Sequence, residues 1–195
     1  LLQQFNLSFQ EDSSFINQTD DTQISANSPT ANYGSLASIN IDSLNPHAHG
    51  LIKFPNIFGN SQGQIPLGSK IISSTLTLDC TNIGNSMNVY LLKEDWTESQ
   101  ATWNNRKTGI PWSNAGADGS ASHYNQVKVW TCASPADLKT YDITTFVQNW
   151  SNGLPNYGIV IKDTGSNGVD FRSSESTPKP LLKVIERLRM SKNKL

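Results

Sequence analysis

Three acidic residues close together form the group with the clearest potential for chemistry. Glu94, Asp95 and Glu98 flank Trp96 in the stretch EDWTE. Glycoside hydrolysis needs two carboxylates at a defined separation, and Asp95 and Glu98 are spaced to share one face of a turn. The alternative is a solvated loop anchored by Trp96. We prefer this alternative because no second acidic pair stands out, and we therefore predict no catalytic residues.

Patterns of nucleophilic or phosphate chemistry are also missing from the sequence. It has three histidines and two cysteines, no G-x-S-x-G, and no histidine patterned with either cysteine. The glycines at 59, 63 and 68 lack the Lys-Ser/Thr that completes a phosphate-binding loop. These absences make an enzyme the least favoured class of function.

The elements that must position any site are short strands. Residues 72–80 alternate strictly, which predicts a strand whose even-numbered side chains are buried in an antiparallel sheet. About ten such strands follow one another with turn signals between them, typical of an all-β, antiparallel jelly-roll β-sandwich. One short helix is predicted at Thr145–Trp150, with Thr144 as its N-cap and Gly153 as the left-handed residue after its end.

Length and charge indicate one domain. The chain has 195 residues and a formal net charge of −1, with 15 basic and 16 acidic residues. Four of the basic residues lie in 187–195, so 11 basic residues remain against 16 acidic ones, a net charge of −5. We predict a domain at 1–186 and a basic tail at 187–195. The acidic body argues against nucleic acid as a partner, and no apolar run reaches the ~20 residues of a membrane span.

The stretch at 141–162 carries a resemblance. Its Tyr141-Asp142-Ile143-Thr144, Val147, Trp150, Gly153 and Asn156-Tyr157-Gly158 resemble the signature of the DNRLRE domain family. That family is related to the arm domain of TGF-β propeptides and is similar to a carbohydrate-binding module family known for binding alginate. Further matches are Asn32-Tyr33-Gly34, Asp95-Trp96-Thr97-Glu98, Ala101-Thr102-Trp103-Asn104 and Phe171-Arg172-Ser173-Ser174-Glu175. The resemblance implies a non-catalytic, secreted or cell-surface module that binds extracellular polysaccharide.

Aromatic residues are the natural candidates for sugar contacts. Trp96, Trp103 and Trp150 lie at signature positions, and we predict that they are core residues. Trp112, Tyr124 and Trp130 lie in or beside an irregular region and are candidates for an exposed platform; packing under a long loop is the alternative. Arg106, Lys107 and Lys128 are the nearby basic candidates for an acidic polysaccharide.

Two groups of residues are candidate metal ligands. His47 and His49 are spaced to share one strand face, although an ordinary polar strand entry is preferred. Asp20, Asp21 and Glu175 are candidate oxygen ligands for a structural calcium ion, with turn capping and surface charge as the favoured alternative.

A secreted protein can carry disulfides and N-linked glycans, and the sequence contains candidates for both. Cys80 and Cys132 each end a predicted strand, and we expect them to form a disulfide. Asn6, Asn17 and Asn149 begin N-x-S/T sequons, which makes them glycosylation candidates.

The first strand has two possible partners. Phe5, Leu7 and Phe9 alternate with polar residues, so this segment could pair with another copy in an extracellular filament or surface layer. The preferred alternative is that the strand completes its own sheet. The sequence thus predicts polysaccharide or copies of itself as partners.

Overall fold

The computed structural model describes residues 3–45 and 47–187 and contains thirteen strands. Their bounds are β1 (Gln4–Gln10), β2 (Asp20–Ser25), β3 (Ser38–Ile41), β4 (Ala48–Lys53), β5 (Lys70–Asn82), β6 (Met87–Leu92), β7 (Asn105–Lys107), β8 (Ile110–Pro111), β9 (His123–Trp130), β10 (Leu138–Asp142), β11 (Ile159–Asp163), β12 (Val169–Arg172) and β13 (Leu181–Arg187).

The strands form three antiparallel sheets. A six-stranded sheet runs β1-β13-β5-β12-β3, with β10 also paired to β5. A five-stranded sheet runs β2-β4-β11-β6-β9, and β7 and β8 form a separate ribbon. Since every pairing between these thirteen strands is antiparallel and the two large sheets share one core, the protein is an all-β sandwich, as the alternation predicts.

Among the described residues, two α-helices and a short 3-10 helix at Ala115–Ala117 interrupt the strands, where the sequence predicted one helix. The unpredicted α-helix is α1 (Gly119–Ser122), and α2 (Thr144–Ser151) contains the predicted one. Thr144 is the first residue of α2 and not its N-cap. Its hydroxyl instead accepts the backbone N–H of Ser74, which ties the helix to β5. Gly153 has the expected left-handed conformation, with φ of 105°.

The inner core lies between the two large sheets. We use this name for the cluster that includes Leu76, Val89, Trp150 and Phe171, all at least 96 % buried. Alternation on β5 holds from Ser74 to Cys80. It fails at Ile72, which is 37 % exposed while Ile71 is buried. The register between β13 and β5 shifts at this point, and such a bulge reverses the facing of the residues before it.

An outer core lies on the opposite face of the five-stranded sheet. We use this name for Ile24, Leu51, Leu92, Trp96, Ala101, Trp112, Ala117 and Val160. The segment 93–122, here called the cover segment, supplies Trp96, Ala101, Trp112 and Ala117. The five-stranded sheet is therefore covered on both faces, which explains why all six residues of β4 are buried.

Two further contacts close the sandwich. Cys80 and Cys132 form a disulfide with their Cα atoms 6.3 Å apart, a separation that suits such a bond. Strand β1 pairs with β13 over its whole length, so the first strand completes its own sheet. In the part of the chain that the structure describes, no helix is long and apolar enough to span a membrane. The predicted basic tail lies outside the described residues except for Arg187.

Candidate functional site

A cleft opens where the edge strand β9 meets the end of α2. Its volume is about 450 Å³, within the usual range for small-ligand sites. We call it the Tyr124 cleft. Its lining residues are Leu91, Tyr124, Asn125, Gln126, Asn149, Asn152 and Leu154. The cleft therefore combines one aromatic ring and two leucines with four side-chain amides, and none of these seven side chains carries a charge.

The polar groups of the cleft are partly organised. Asn149 Nδ2 donates to Gln126 Oε1 at 3.0 Å, which joins α2 to β9 across the cleft. Lys93 Nζ lies 4.8 Å from the centre of the Tyr124 ring and donates to the carbonyl of Ser120. The remaining amide donors and acceptors can meet sugar hydroxyls, and the half-buried tyrosine ring can meet a sugar face.

The predicted exposed platform does not form. Trp112 and Trp130 are each only 4 % exposed, so neither offers a free face to a sugar. Trp112 packs in the outer core, where its Nε1–H donates to the carbonyl of Thr102. Trp130 stacks on Tyr141 with ring centres 4.3 Å apart. Of the three platform candidates, Tyr124 lines the Tyr124 cleft, whereas the buried Trp130 contributes only to a separate pocket beside Lys128 and Asp142.

The basic candidates are bound to acidic groups of the protein. Arg106 donates to the backbone carbonyl of Asp95, and its Nε lies 3.7 Å from Glu94 Oε1. Lys107 Nζ lies 2.5 Å from the Asp95 carboxylate. Lys128 pairs with Asp142 at 2.6 Å, and its Nζ lies 5.7 Å from the Phe146 ring centre. None of the three lines the Tyr124 cleft.

The acidic residues around Trp96 separate into three different environments. Glu94 accepts from the backbone N–H and the hydroxyl of Ser113. Asp95 pairs with Lys107, and Glu98 Oε1 accepts the backbone N–H of Asp21. Asp95 and Glu98, the two carboxylates that could have formed a hydrolytic pair, thus contact different parts of the fold.

His47 and His49, the histidines considered as metal ligands, pack against Trp103. Their ring centres lie 5.1 Å apart, and each lies 4.9 Å from the Trp103 ring centre. His49 is buried, and its Nδ1–H donates to the carbonyl of Gly116 at 2.8 Å. Burial lowers the pKa of His49 to about 4, so the ring is neutral at physiological pH.

A carboxylate cluster forms beside the outer core. Oxygens of Asp21, Glu98 and Glu175 lie within 4.8 Å of one another. Two of the predicted calcium candidates, Asp21 and Glu175, belong to it, but Asp20 instead pairs with Lys53 at 2.9 Å. Sequence reasoning missed Glu98 in this role because 77 residues separate it from Asp21.

The electrostatics of this cluster reflect crowded negative charge. Desolvation is the main cause that raises the pKa of Asp21 well above its usual value, and the charges of Glu175 and Glu98 add to it. Desolvation likewise raises the pKa of Glu98 to about 7, with Glu175, Asp20 and Glu11 as further causes.

The three sequon asparagines differ in setting. Asn6 is exposed on β1, and Asn17 Nδ2 donates to Asp12 Oδ2 at 2.7 Å. Asn149 lines the Tyr124 cleft, while Ser151 of the same sequon is 2 % exposed. Their glycosylation stays a prediction.

Comparison with protein families indicates a carbohydrate-binding module. The model of carbohydrate-binding module family 96 matches residues 12–186. Because this match spans most of the chain, the protein belongs to carbohydrate-binding module family 96. Comparison with curated proteins gives no match.

Proposed function

We propose that this module binds extracellular polysaccharide in the Tyr124 cleft and that it does so without catalysing a reaction. The observation that carries the proposal is the composition of the cleft lining, in which Tyr124 is surrounded by four amide side chains. An aromatic ring supplies apolar contact to a sugar face, while amides pair with the hydroxyl groups around it. Family membership supports carbohydrate as the ligand class.

The absence of charge in the lining points to hydroxyl-rich, neutral sugar units as the main contact. A uronate carboxylate would need a cation, and Lys93 beside the Tyr124 ring is the group placed to supply it. Binding that depends on Lys93 should weaken with salt, because that side chain is exposed. Binding to a neutral polymer through the amides should change little with salt.

The proposed setting is extracellular or at the cell surface. The Cys80–Cys132 disulfide supports it, because such bonds persist in oxidising compartments. Pairing with other copies stays a prediction, and we do not propose assembly as the function. Strand β1 already pairs with β13 in its own chain, and Phe9 is 1 % exposed, so this segment is not a free donor strand.

Substitutions in the cleft test the proposal. We expect Tyr124→Ala and Asn152→Ala to lower affinity for a bound polymer by about tenfold or more, because each removes a direct contact worth over ~1.4 kcal/mol. Tyr124→Phe should retain most of the affinity, since it keeps the ring. Calorimetry and affinity electrophoresis with soluble neutral and uronic polysaccharides, at about 100 μM protein for weak binding, provide the measurement.

Tyr33→Ala is the matched control, because Tyr33 is a half-buried tyrosine that does not line the cleft. It should bind like the wild type. Wild-type affinity in both cleft variants would show that the polysaccharide binds outside the Tyr124 cleft. If the wild type bound none of the polymers tested, the proposed function itself would be contradicted.

A further inference from the structure

We propose that the carboxylate cluster of Asp21, Glu98 and Glu175 is a calcium site that staples three distant parts of the chain. This inference is independent of the polysaccharide proposal. Asp21 lies on β2, Glu98 lies in the cover segment, and Glu175 lies between β12 and β13. Their oxygens converge within 4.8 Å, although up to 154 positions of sequence separate them. An ion at their centre would connect elements that no strand pairing connects.

The hydrogen bonds of the cluster leave oxygens available on all three residues. Ser174 N–H donates to Asp21 Oδ2 at 2.8 Å, and Ser174 Oγ–H donates to Glu175 Oε2 at 3.2 Å. Asp21 N–H donates to Glu98 Oε1 at 2.7 Å. Each carboxylate is thus oriented through one oxygen, and its second oxygen is not used by these bonds.

The second oxygen of Asp21 points independently to a ligand. Asp21 is 1 % exposed, and its Oδ1 is buried without a hydrogen-bond partner among the described residues. A buried acceptor left without a partner loses its hydration without compensation, and this destabilises the fold more when the group is charged. A cation beside Oδ1 would remove this cost.

The position of Glu98 is fixed by its backbone as well as by its side chain. Asn32 Nδ2 donates to the carbonyl of Glu98 at 2.6 Å and to that of Ala101 at 2.8 Å. Gly34 packs so closely that a Cβ there would lie 2.6 Å from the Glu98 carbonyl oxygen. The turn at 32–34 therefore holds this ligand in place before any ion arrives, which reduces the entropy lost on binding.

Calcium fits the donor set better than other common cations. All three side chains are carboxylates, which are hard oxygen ligands, and the set includes neither sulfur nor imidazole. The ligands range from buried Asp21 through half-buried Glu98 to exposed Glu175, so water can complete the coordination from the exposed side. Calcium tolerates such an irregular shell, whereas magnesium requires a near-ideal octahedron.

The test uses the whole chain freed of metal with EDTA and then dialysed. Calorimetric titration with CaCl₂ should show one ion per chain, and about 1 mM Ca²⁺ should raise the Tm. MgCl₂ should bind more weakly. Glu175→Gln should reduce calcium affinity by about tenfold or more, because it removes a charged ligand from a site tuned by charge count. Since Glu175 is exposed, this variant is expected to fold.

Asp137→Asn is the control variant, because Asp137 is an exposed acid outside the cluster that pairs with Lys139. It should bind calcium like the wild type. The proposal fails if the wild type shows neither binding heat nor a rise in Tm with Ca²⁺. It also fails if Glu175→Gln leaves the affinity unchanged, or if Asp137→Asn lowers it equally. No polysaccharide is present in these experiments, so their result does not depend on the carbohydrate site.

Discussion

The inner core and the outer core bury the same kind of side chain in two different ways. Trp150 of the inner core and Trp112 of the outer core are both 4 % exposed. Trp150 lies on a short amphipathic helix, whereas Trp112 lies in the cover segment, most of which is irregular. The comparison shows that an aromatic residue in an irregular stretch is not thereby a surface residue.

The strands that separate the two cores have a sequence pattern that indicates burial on both faces. In β11, Ile159 and Ile161 face the inner core while Val160 faces the outer core. Leu91 and Leu92 of β6 divide in the same way. A run of apolar residues without alternation indicates a strand covered on both faces, so some segment must cover the second face. The cover segment is that segment.

The largest expected effect tests whether the outer core contributes as much stability as the inner core. Trp150→Ala and Trp112→Ala should each lower the free energy of unfolding by about 3–5 kcal/mol, because both remove a fully packed indole. Chemical denaturation monitored by circular dichroism provides the measurement. A loss below about 1 kcal/mol for Trp112→Ala alone would show that the cover segment is a loosely attached loop.

Lowering the pH should reduce the free energy of unfolding, because His49 is buried in its neutral form. The pKa of His49 is about 4 in the folded protein and about 6.5 in the unfolded chain. Above pH 6.5 both states are neutral. As the pH falls from 6.5 to 4, the unfolded chain binds a proton that the folded protein does not, and about 3 kcal/mol of stability is lost.

The charged groups that face His49 are Lys162 and His47, which lower its pKa, and Asp118, which raises it. Other groups titrate in the same range, so the measured quantity is the difference between the wild type and His49→Asn. Asparagine can still donate to the carbonyl of Gly116 but does not titrate. Denaturation curves of the two proteins at pH 7 and pH 4.5 should converge at the lower pH; parallel loss in both would contradict the assignment.

The smallest expected effect concerns the indole N–H groups of Trp112 and Trp150, which differ in their hydrogen bonding. Trp112 Nε1–H donates to the carbonyl of Thr102 at 2.9 Å, whereas Trp150 Nε1 finds no hydrogen-bond partner among the described residues. Trp112→Phe should therefore cost about 1 kcal/mol more than Trp150→Phe, since only the former breaks a buried hydrogen bond. Equal losses in the free energy of unfolding would indicate that packing alone holds Trp112.

Local patterns were enough to predict most of the strands and the position of α2. Alternation along β5 predicted its buried face from Ser74 onward, and Gly153 marked the end of the helix. The error at Ile72 arose because a bulge depends on the partner strand, which a single-strand pattern does not contain. The error at Thr144 had a similar cause, since its hydroxyl bonds to Ser74 on β5 and not to its own helix.

The sequence by itself determined the class of fold, because period-two alternation and turn residues act over a few neighbouring positions. It also contained Tyr124, Asp21 and Glu175 as candidates. Only the tertiary structure decided which candidates meet. It buried Trp112 and Trp130, placed Asn149 and Asn152 beside Tyr124, and brought Glu98 to Asp21. Burial and long-range contact are properties of how sheets and loops pack, and residue spacing does not encode them directly.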